Sequence, residues 1–301
     1  MTKHYLSMLD MDPETARAVL DRALEMKRTR HRSRLLDGKI IALLFEKAST
    51  RTRLSFEVAV RHLGGEALFL SSRETQLGRN EPVRDFARVV SRYLDGLVVR
   101  TYAQQTLDEL VAFATIPVVN ALSDQFHPCQ TLSDLLTVYE RRPDLENLVI
   151  AWVGDGNNMA NSWMNAAALF PFTLRMATPH GFEPSADVLA RSQRLGAKIE
   201  LGNDPVAAVT GAHFVNTDVW VSMGQDDPEG AKRSAFEPFQ VNDTLMAHAA
   251  EGAMFMHCLP AHRSEEVTEA VFESNISIVW DQAENRLHTQ KAILEWIFTQ
   301  D

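Results

Sequence analysis

Only two cysteines occur among 301 residues, Cys129 and Cys258. They could form one disulfide, but they lie far apart and each sits inside a functional-looking motif, so free thiols in a reducing compartment are the expectation. No apolar run approaches the roughly 20 residues that cross a bilayer, and Met1 to Tyr5 carry no apolar signal core. A cytoplasmic protein, with no membrane partner, is therefore expected. Basic residues are outnumbered 30 to 40, for a net charge of −10. That balance argues against a nucleic-acid partner while leaving room for local basic pockets. Internal repeats and low-complexity tracts are absent as well.

The chain exceeds the size at which one core usually keeps growing, so two domains are the default. Strand-like segments begin near Ile40, Glu66, Gly96, Pro117, Leu148, Thr173, Lys198, His213, Ala253 and Ile276. Helical patterns begin near Pro13, Thr52, Pro82, Gln104, Thr131, Met159, Ser185, Asp204, Phe239 and Glu265, and a last helix is expected over residues 285–299. The polar stretch Arg141-Arg142-Pro143-Asp144 marks a boundary. Domains over residues 1–140 and 141–284 follow, with 285–301 as a C-terminal helix returning to the first. Repeated βα units predict an α/β protein with two doubly wound parallel-sheet domains. Ligands in such folds bind beyond the carboxyl ends of strands, and an interdomain cleft is the default active site.

Five motifs follow those strand ends. Ser49-Thr50-Arg51-Thr52-Arg53 stands where the apolar run from Ile40 to Phe45 hands over to a helix, with Phe56, Val60 and Leu63 on one face. Free backbone N–H groups and the helix dipole make such a position an anion site, and Arg51 has the fork that grips phosphate. A capped helix with solvated arginines is the plainer alternative. Arg100 ends Gly96-Leu97-Val98-Val99, placed for an anion, a polarised carbonyl or a structural ion pair. His127-Pro128-Cys129-Gln130 combines an imidazole with an amide that can hold a carbamoyl-like group. No second Cys/His pair at ligand spacing accompanies His127 and Cys129, which argues against a metal.

Gly154-Asp155-Gly156-Asn157-Asn158 resembles a dinucleotide turn, but Met159 stands where the third glycine falls. Its two amides suit a zwitterionic amino acid, or simply an Asn-capped turn. Asp218 can pair with an ammonium, with Ser222 beside it, and Gly224 opens a polar loop running to Arg233. In His257-Cys258-Leu259-Pro260 the thiol is a nucleophile, a positioned ligand or a small buried apolar group. Neighbours on a strand point to opposite faces, so His257 is not expected to activate Cys258. Arg286, expected at the start of the final helix, returns a cation to the cleft or is solvated.

Taken together and in this order, the motifs resemble the aspartate/ornithine carbamoyltransferase family over essentially the full length, and its ornithine-using members in particular. An aspartate-using member would share Ser-Thr-Arg-Thr-Arg but is not expected to carry Asp218…Ser222-Met223-Gly224 or His257-Cys258-Leu259-Pro260. Cys129 departs from the family, where Thr or an aliphatic residue is commoner. The resemblance implies a carbamoyl-phosphate domain followed by an ornithine domain. It assigns Ser49, Thr50, Arg51, Thr52, Gln76, Arg100, His127, Gln130, Cys258, Leu259 and Arg286 to carbamoyl phosphate. Asn158, Asp218, Ser222 and Met223 fall to ornithine, and Arg100, His127 and Cys258 to the chemistry. It also implies trimers or multiples of trimers in which Gln76 reaches a neighbouring subunit's site. No metal or organic cofactor is required. The expected reaction moves a carbamoyl group to the side-chain amine of L-ornithine. Putrescine or an N-acylated ornithine is the nearest alternative acceptor, and a nucleotide-dependent oxidoreductase a remoter reading. The biosynthetic and catabolic directions are not separated at this level.

Overall fold

The computed structural model describes residues 2–71, 75, 77, 81–221 and 230–299. Two compact units emerge: Met1–Leu136 with Glu284–Asp301, and Thr137–Ala283.

The first unit contains α1 (Pro13–Arg28), β1 (Ile40–Phe45), α2 (Thr50–His62), β2 (Glu66–Ser71), α3 (Val83–Val90), β3 (Gly96–Arg100), α4 (Gln104–Phe113) and β4 (Val118–Leu122). The helix α5 (Pro128–Arg141) leads out of it. Its four strands are parallel, in the order β2-β1-β3-β4. β1 is apolar throughout because both of its faces are covered. Ala42 and Leu44 pack in one cluster with Leu97 and Val99 of β3, Phe86 of α3 and Leu107 of α4. The alternate residues Ile41, Leu43 and Phe45 point to the opposite face and are buried as well.

The second unit contains β5 (Val149–Val153), α6 (Asn158–Leu169), β6 (Thr173–Ala177), α7 (Ala186–Arg194), β7 (Lys198–Gly202), α8 (Pro205–Val209), β8 (Phe214–Thr217), α9 (Ala231–Phe236), α10 (Asp243–Met246), β9 (Met254–His257) and α11 (Glu269–Phe272). Its five parallel strands run β7-β6-β5-β8-β9. Ala151, Val153, Val215 and Phe255 from three of them share a core with Val209, Val267 and Val271. The final helix α12 (Val279–Phe298) begins in this unit and ends in the first.

Strand order decides where ligands bind. In the first sheet the winding reverses between β1 and β3, and in the second between β5 and β8. A crevice opens at the carboxyl ends of the strands flanking such a reversal. Ser49 to Arg53 follow β1 and Arg100 ends β3, while Gly154 to Asn158 follow β5 and Asp218 follows β8. Each set therefore stands at its own sheet's switch point.

Several expectations need correction. The segment near Ile276 is no strand: it makes a single parallel bridge, Phe255 to Ser277. The run Ile276-Ser277-Ile278-Val279 has strand composition, but Val279 opens α12 and is buried in the second unit's core, so packing overrides local preference. The last helix starts at Val279, six residues before the expected 285, which puts Arg286 inside the helix rather than at its start. And α5 starts at Pro128, not near Thr131, because proline suits a first helical position. The segment expected as a loop to Arg233 also contains a helix, α9.

Candidate active site

In the first unit, Ser49 is the N-cap of α2, its hydroxyl accepting from the Thr52 N–H at 3.3 Å. Thr50 is exposed, Arg51 half-buried and Thr52 buried on that first turn. Arg53 is spent elsewhere: it pairs with Glu57 at 2.7 Å and lies 3.8 Å over the Phe69 ring. Arg286 is buried and donates from Nη2 to Thr52 Oγ1 at 2.7 Å. Arg100 is buried at the end of β3.

His127 immediately precedes α5, and its carbonyl accepts from the Gln130 and Thr131 N–H groups. Burial holds its imidazole well below the ordinary histidine range, and the nearby Arg286 and Arg100 guanidiniums push the same way. It is therefore a neutral ring beside two permanent cations. Gln130, one turn on, is 1% exposed and donates from Nε2 to Asp134 Oδ1 at 2.8 Å. Cys129 faces the backbone of β4, its thiol donating to the Asn120 carbonyl at 3.3 Å. Burial pushes that thiol up to about 12, so it packs rather than reacts.

Lys47, just past β1, was not singled out from the sequence. Burial lowers its pKa and Arg100 adds to the effect, while its ammonium sits 4.1 Å over the Tyr102 ring. Its only sequence signal is its place in the turn between β1 and α2. Neutral donor, guanidiniums and helix N-terminus together have the chemistry that suits an anionic acyl group.

In the second unit, Gly154 has φ of +137°, which only glycine adopts without strain. Gly156 lies so close to Phe182, Glu183 and Pro184 that a Cβ would fall 2.2 Å from the Pro184 nitrogen. Asn157 caps α6: its Oδ1 accepts from Met159 and Ala160 while its Nδ2 donates to Asp218 Oδ2 at 2.9 Å. Its amide is thus committed to the turn, and Asn158 follows it, half-buried, as the first residue of α6.

Asp218 is 8% exposed, and among the described residues three donors converge on it. Besides Asn157 these are the Val219 N–H at 2.8 Å and the Cys258 thiol at 3.0 Å, both on Oδ1. Asp155, close by in sequence to Asn157, is raised by burial although Lys232 Nζ is only 2.8 Å away. This pair had no sequence signal, because its members are far apart in the chain.

His257 and Cys258 do take different partners. His257 is fully buried, its Nδ1 accepting from the Leu259 N–H at 2.9 Å and its Nε2 facing Glu266 Oε1 at 2.9 Å. The ring proton therefore sits on Nε2. Leu259 is held at a φ of +62°, a strained value for a branched residue. Asp218, His257 and Cys258 place donor atoms within 4.8 Å of one another, but both imidazole nitrogens already serve the protein, which leaves a poor metal site. Both cysteines are free thiols.

The first unit thus brings Thr52, Arg100, His127 and Arg286 into one electrostatic group, with Gln130 on the turn after His127. The second brings Asp218 and Cys258 together with Asn157. Cys258 and Leu259 belong to the second unit, unlike the other carbamoyl-phosphate candidates. Gln76, Ser222 and Met223 lie outside the described residues.

The comparisons with known proteins point the same way. Residues 3–140 match the family model described as "Aspartate/ornithine carbamoyltransferase, carbamoyl-P binding domain". Residues 146–297 match "Aspartate/ornithine carbamoyltransferase, Asp/Orn binding domain". A protein of Oleidesulfovibrio alaskensis named ornithine carbamoyltransferase is 61% identical over 297 residues, 99% of each chain. One from Pseudomonas aeruginosa named "Ornithine carbamoyltransferase, anabolic" is 50% identical over 296 residues, 97% of this chain and 96% of the other. The solved structure of ornithine carbamoyltransferase from Pyrococcus furiosus is similar with a TM-score of 0.93 at 45% identity, covering 98% of this chain and 96% of that one. With two parallel-sheet units, buried guanidiniums beside a helix N-terminus at one switch point, a buried acid at the other and similarity along the whole chain, this protein belongs to the aspartate/ornithine carbamoyltransferase family.

Proposed function

We propose that the protein transfers the carbamoyl group of carbamoyl phosphate to the side-chain amine of L-ornithine, giving citrulline and phosphate. The observation that carries the donor half is His127, buried and neutral with Arg100 and Arg286 beside it. The phosphate dianion takes the α2 N-terminus with Ser49, Thr50, Arg51 and Thr52. The carbamoyl oxygen gains charge as the amine attacks, and Thr52, Arg100 and His127 stabilise it. A neutral imidazole donates a hydrogen bond there without competing for the phosphate. Leu259 and Cys258 serve the carbamoyl end of the reaction, and Gln130 accepts from its NH2.

On the acceptor side, the buried Asp218 suits the α-ammonium of ornithine and disfavours a second carboxylate such as aspartate carries. Asn158 takes the α-carboxylate end, with Ser222 and Met223 completing the acceptor contacts. Much of the rate then comes from orientation of the δ-amine. The amine's lone pair forms the new C–N bond as the C–O bond to phosphate breaks, and the phosphate leaves with that electron pair. The amine proton goes to the departing phosphate, or to Cys258 in its thiolate form.

Similarity over nearly the full length to proteins named ornithine carbamoyltransferase supports this acceptor, and the relative named anabolic supports the synthetic direction. We further propose a homotrimer, or a multiple of trimers, acting in the cytoplasm, with Gln76 completing a neighbouring subunit's site. Among the described residues no helix is long and apolar enough to cross a membrane. The test is an acceptor panel with carbamoyl phosphate held saturating. L-ornithine is expected to give the highest kcat/KM; a preference for putrescine, N-acetylornithine or aspartate would overturn the assignment.

A further inference from the structure

His127, Gln130 and Asp134 follow one another at spacings of three and four along the start of α5, so they share one helix face. All three are buried, Gln130 at 1% and Asp134 at 0% exposure. Gln130 Nε2 donates to Asp134 Oδ1 at 2.8 Å. Among the described residues Gln130 Oε1 is buried and accepts nothing. An acceptor left so is costly and is expected where a ligand brings the donor.

We propose that Asp134 is a positioning residue: it fixes which end of the Gln130 amide faces the ligand and so makes the site select an –NH2 group over a methyl. The two ends of a glutamine amide are nearly the same shape and opposite in polarity. A carboxylate only accepts, so Asp134 takes the Nε2 end and turns Oε1 away from itself. The neighbouring groups His127, Arg100 and Arg286 act as donors and meet the oxygen of an acyl group. Gln130 Oε1 supplies the one acceptor, and a carbamoyl group supplies both complements, an oxygen and an NH2. An acetyl group has the same outline but offers a methyl to Oε1, which leaves the acceptor buried and unpaired. The device accordingly separates carbamoyl phosphate from acyl phosphates of equal size. This inference rests on the carbamoyl phosphate reading of the first unit.

The test measures the binding of carbamoyl phosphate, acetyl phosphate and inorganic phosphate to the full-length protein. It compares wild type, Asp134→Asn, Gln130→Ala and the double variant. Asparagine keeps the shape of Asp134 but can donate to Oε1 and release Nε2 toward the ligand. Asp134→Asn is expected to weaken carbamoyl phosphate about 10- to 100-fold, to leave inorganic phosphate within about twofold, and to abolish the preference over acetyl phosphate. The double variant is expected to be no weaker than Gln130→Ala, because Asp134 acts only through the amide. If Asp134→Asn keeps the preference while Gln130→Ala loses it, or if the two losses multiply, the positioning role is overturned. If Gln130→Ala itself binds carbamoyl phosphate normally, the underlying reading fails instead. Should Asp134→Asn not fold, as judged by its thermal melt and phosphate binding, Asp134→Ser offers a smaller donor and is held to the same outcomes.

Discussion

Arg286 donates to the hydroxyl of Thr52 at 2.7 Å across 234 residues of sequence. The bond ties the middle of α12 to the first turn of α2. Because Thr52 Oγ1 accepts from a cation, its own proton is turned elsewhere, and its backbone N–H is already given to Ser49. The hydroxyl is thus a preset donor at the helix N-terminus.

Thr52→Val keeps the shape and removes that donor, together with the hydroxyl that accepts from Arg286 Nη2. The expected loss in carbamoyl phosphate affinity is about 1.5–3 kcal/mol. Arg51→Ala, which removes the phosphate fork, is expected to cost about 2–5 kcal/mol and to collapse the rate. Calorimetry with carbamoyl phosphate checks both; saturation unchanged in either variant would remove that residue from the site.

The pH dependence follows from two groups. The ornithine δ-amine must lose its proton, and its pKa is near that of lysine, about 10. Each unit toward alkaline pH then raises the reactive fraction about tenfold. His127, held well below the usual histidine range by burial and by Arg286 and Arg100, stays neutral throughout. So kcat/KM for ornithine is expected to climb from pH 7 to 9 with no histidine inflection near 6.5. A flat profile would contradict the amine requirement. An inflection near 6.5 that disappears in His127→Asn would contradict the neutral imidazole.

The fold was largely legible because buried parallel strands are written as short apolar runs. Apart from the segment near Ile276, each expected strand begins within a residue of the observed one, as at Ile40, Gly96 and Thr173. Some helix starts were readable from a capping side chain, at Ser49, Asn157, Ser185 and Asp204, but α10 and α11, capped by Asn242 and Thr268, begin at Asp243 and Glu269, after the expected Phe239 and Glu265. The start of α12 was not readable, since Val279 and Trp280 carry strand preference and only packing makes them helical. In the candidate sites, polar residues that follow apolar strand runs were readable as candidates. Asp134, Lys47 and Lys232 did not, because their meaning lies in Gln130, in Tyr102 with Arg100, and in Asp155, and no local pattern names a partner.

Asp218→Asn is expected to separate the two substrates. Carbamoyl phosphate binding should stay within about twofold, while kcat/KM for ornithine falls by about 2–5 kcal/mol, the cost of breaking a buried charge pair. The gap between ornithine and N-acetylornithine should narrow, since acylation removes the α-ammonium that Asp218 would hold. If the variant keeps its full preference, the anchor must be sought at Asn158 or Ser222.

The proposed sharing of Gln76 between subunits predicts complementation. Gln76→Ala and Arg51→Ala chains are each expected to be inactive alone. Mixed after subunit exchange, they should regain activity, because some hybrid sites draw both intact residues from different chains. No recovery once exchange is shown by mass would count against a shared site.

The most direct test of carbamoyl transfer to ornithine is product stoichiometry from carbamoyl phosphate labelled with 13C at the carbonyl. With L-ornithine, the account predicts labelled citrulline and phosphate in equal amounts, with the label on the δ-nitrogen side of the product. Release of phosphate without labelled citrulline, or label appearing on another acceptor in preference to ornithine, would contradict it.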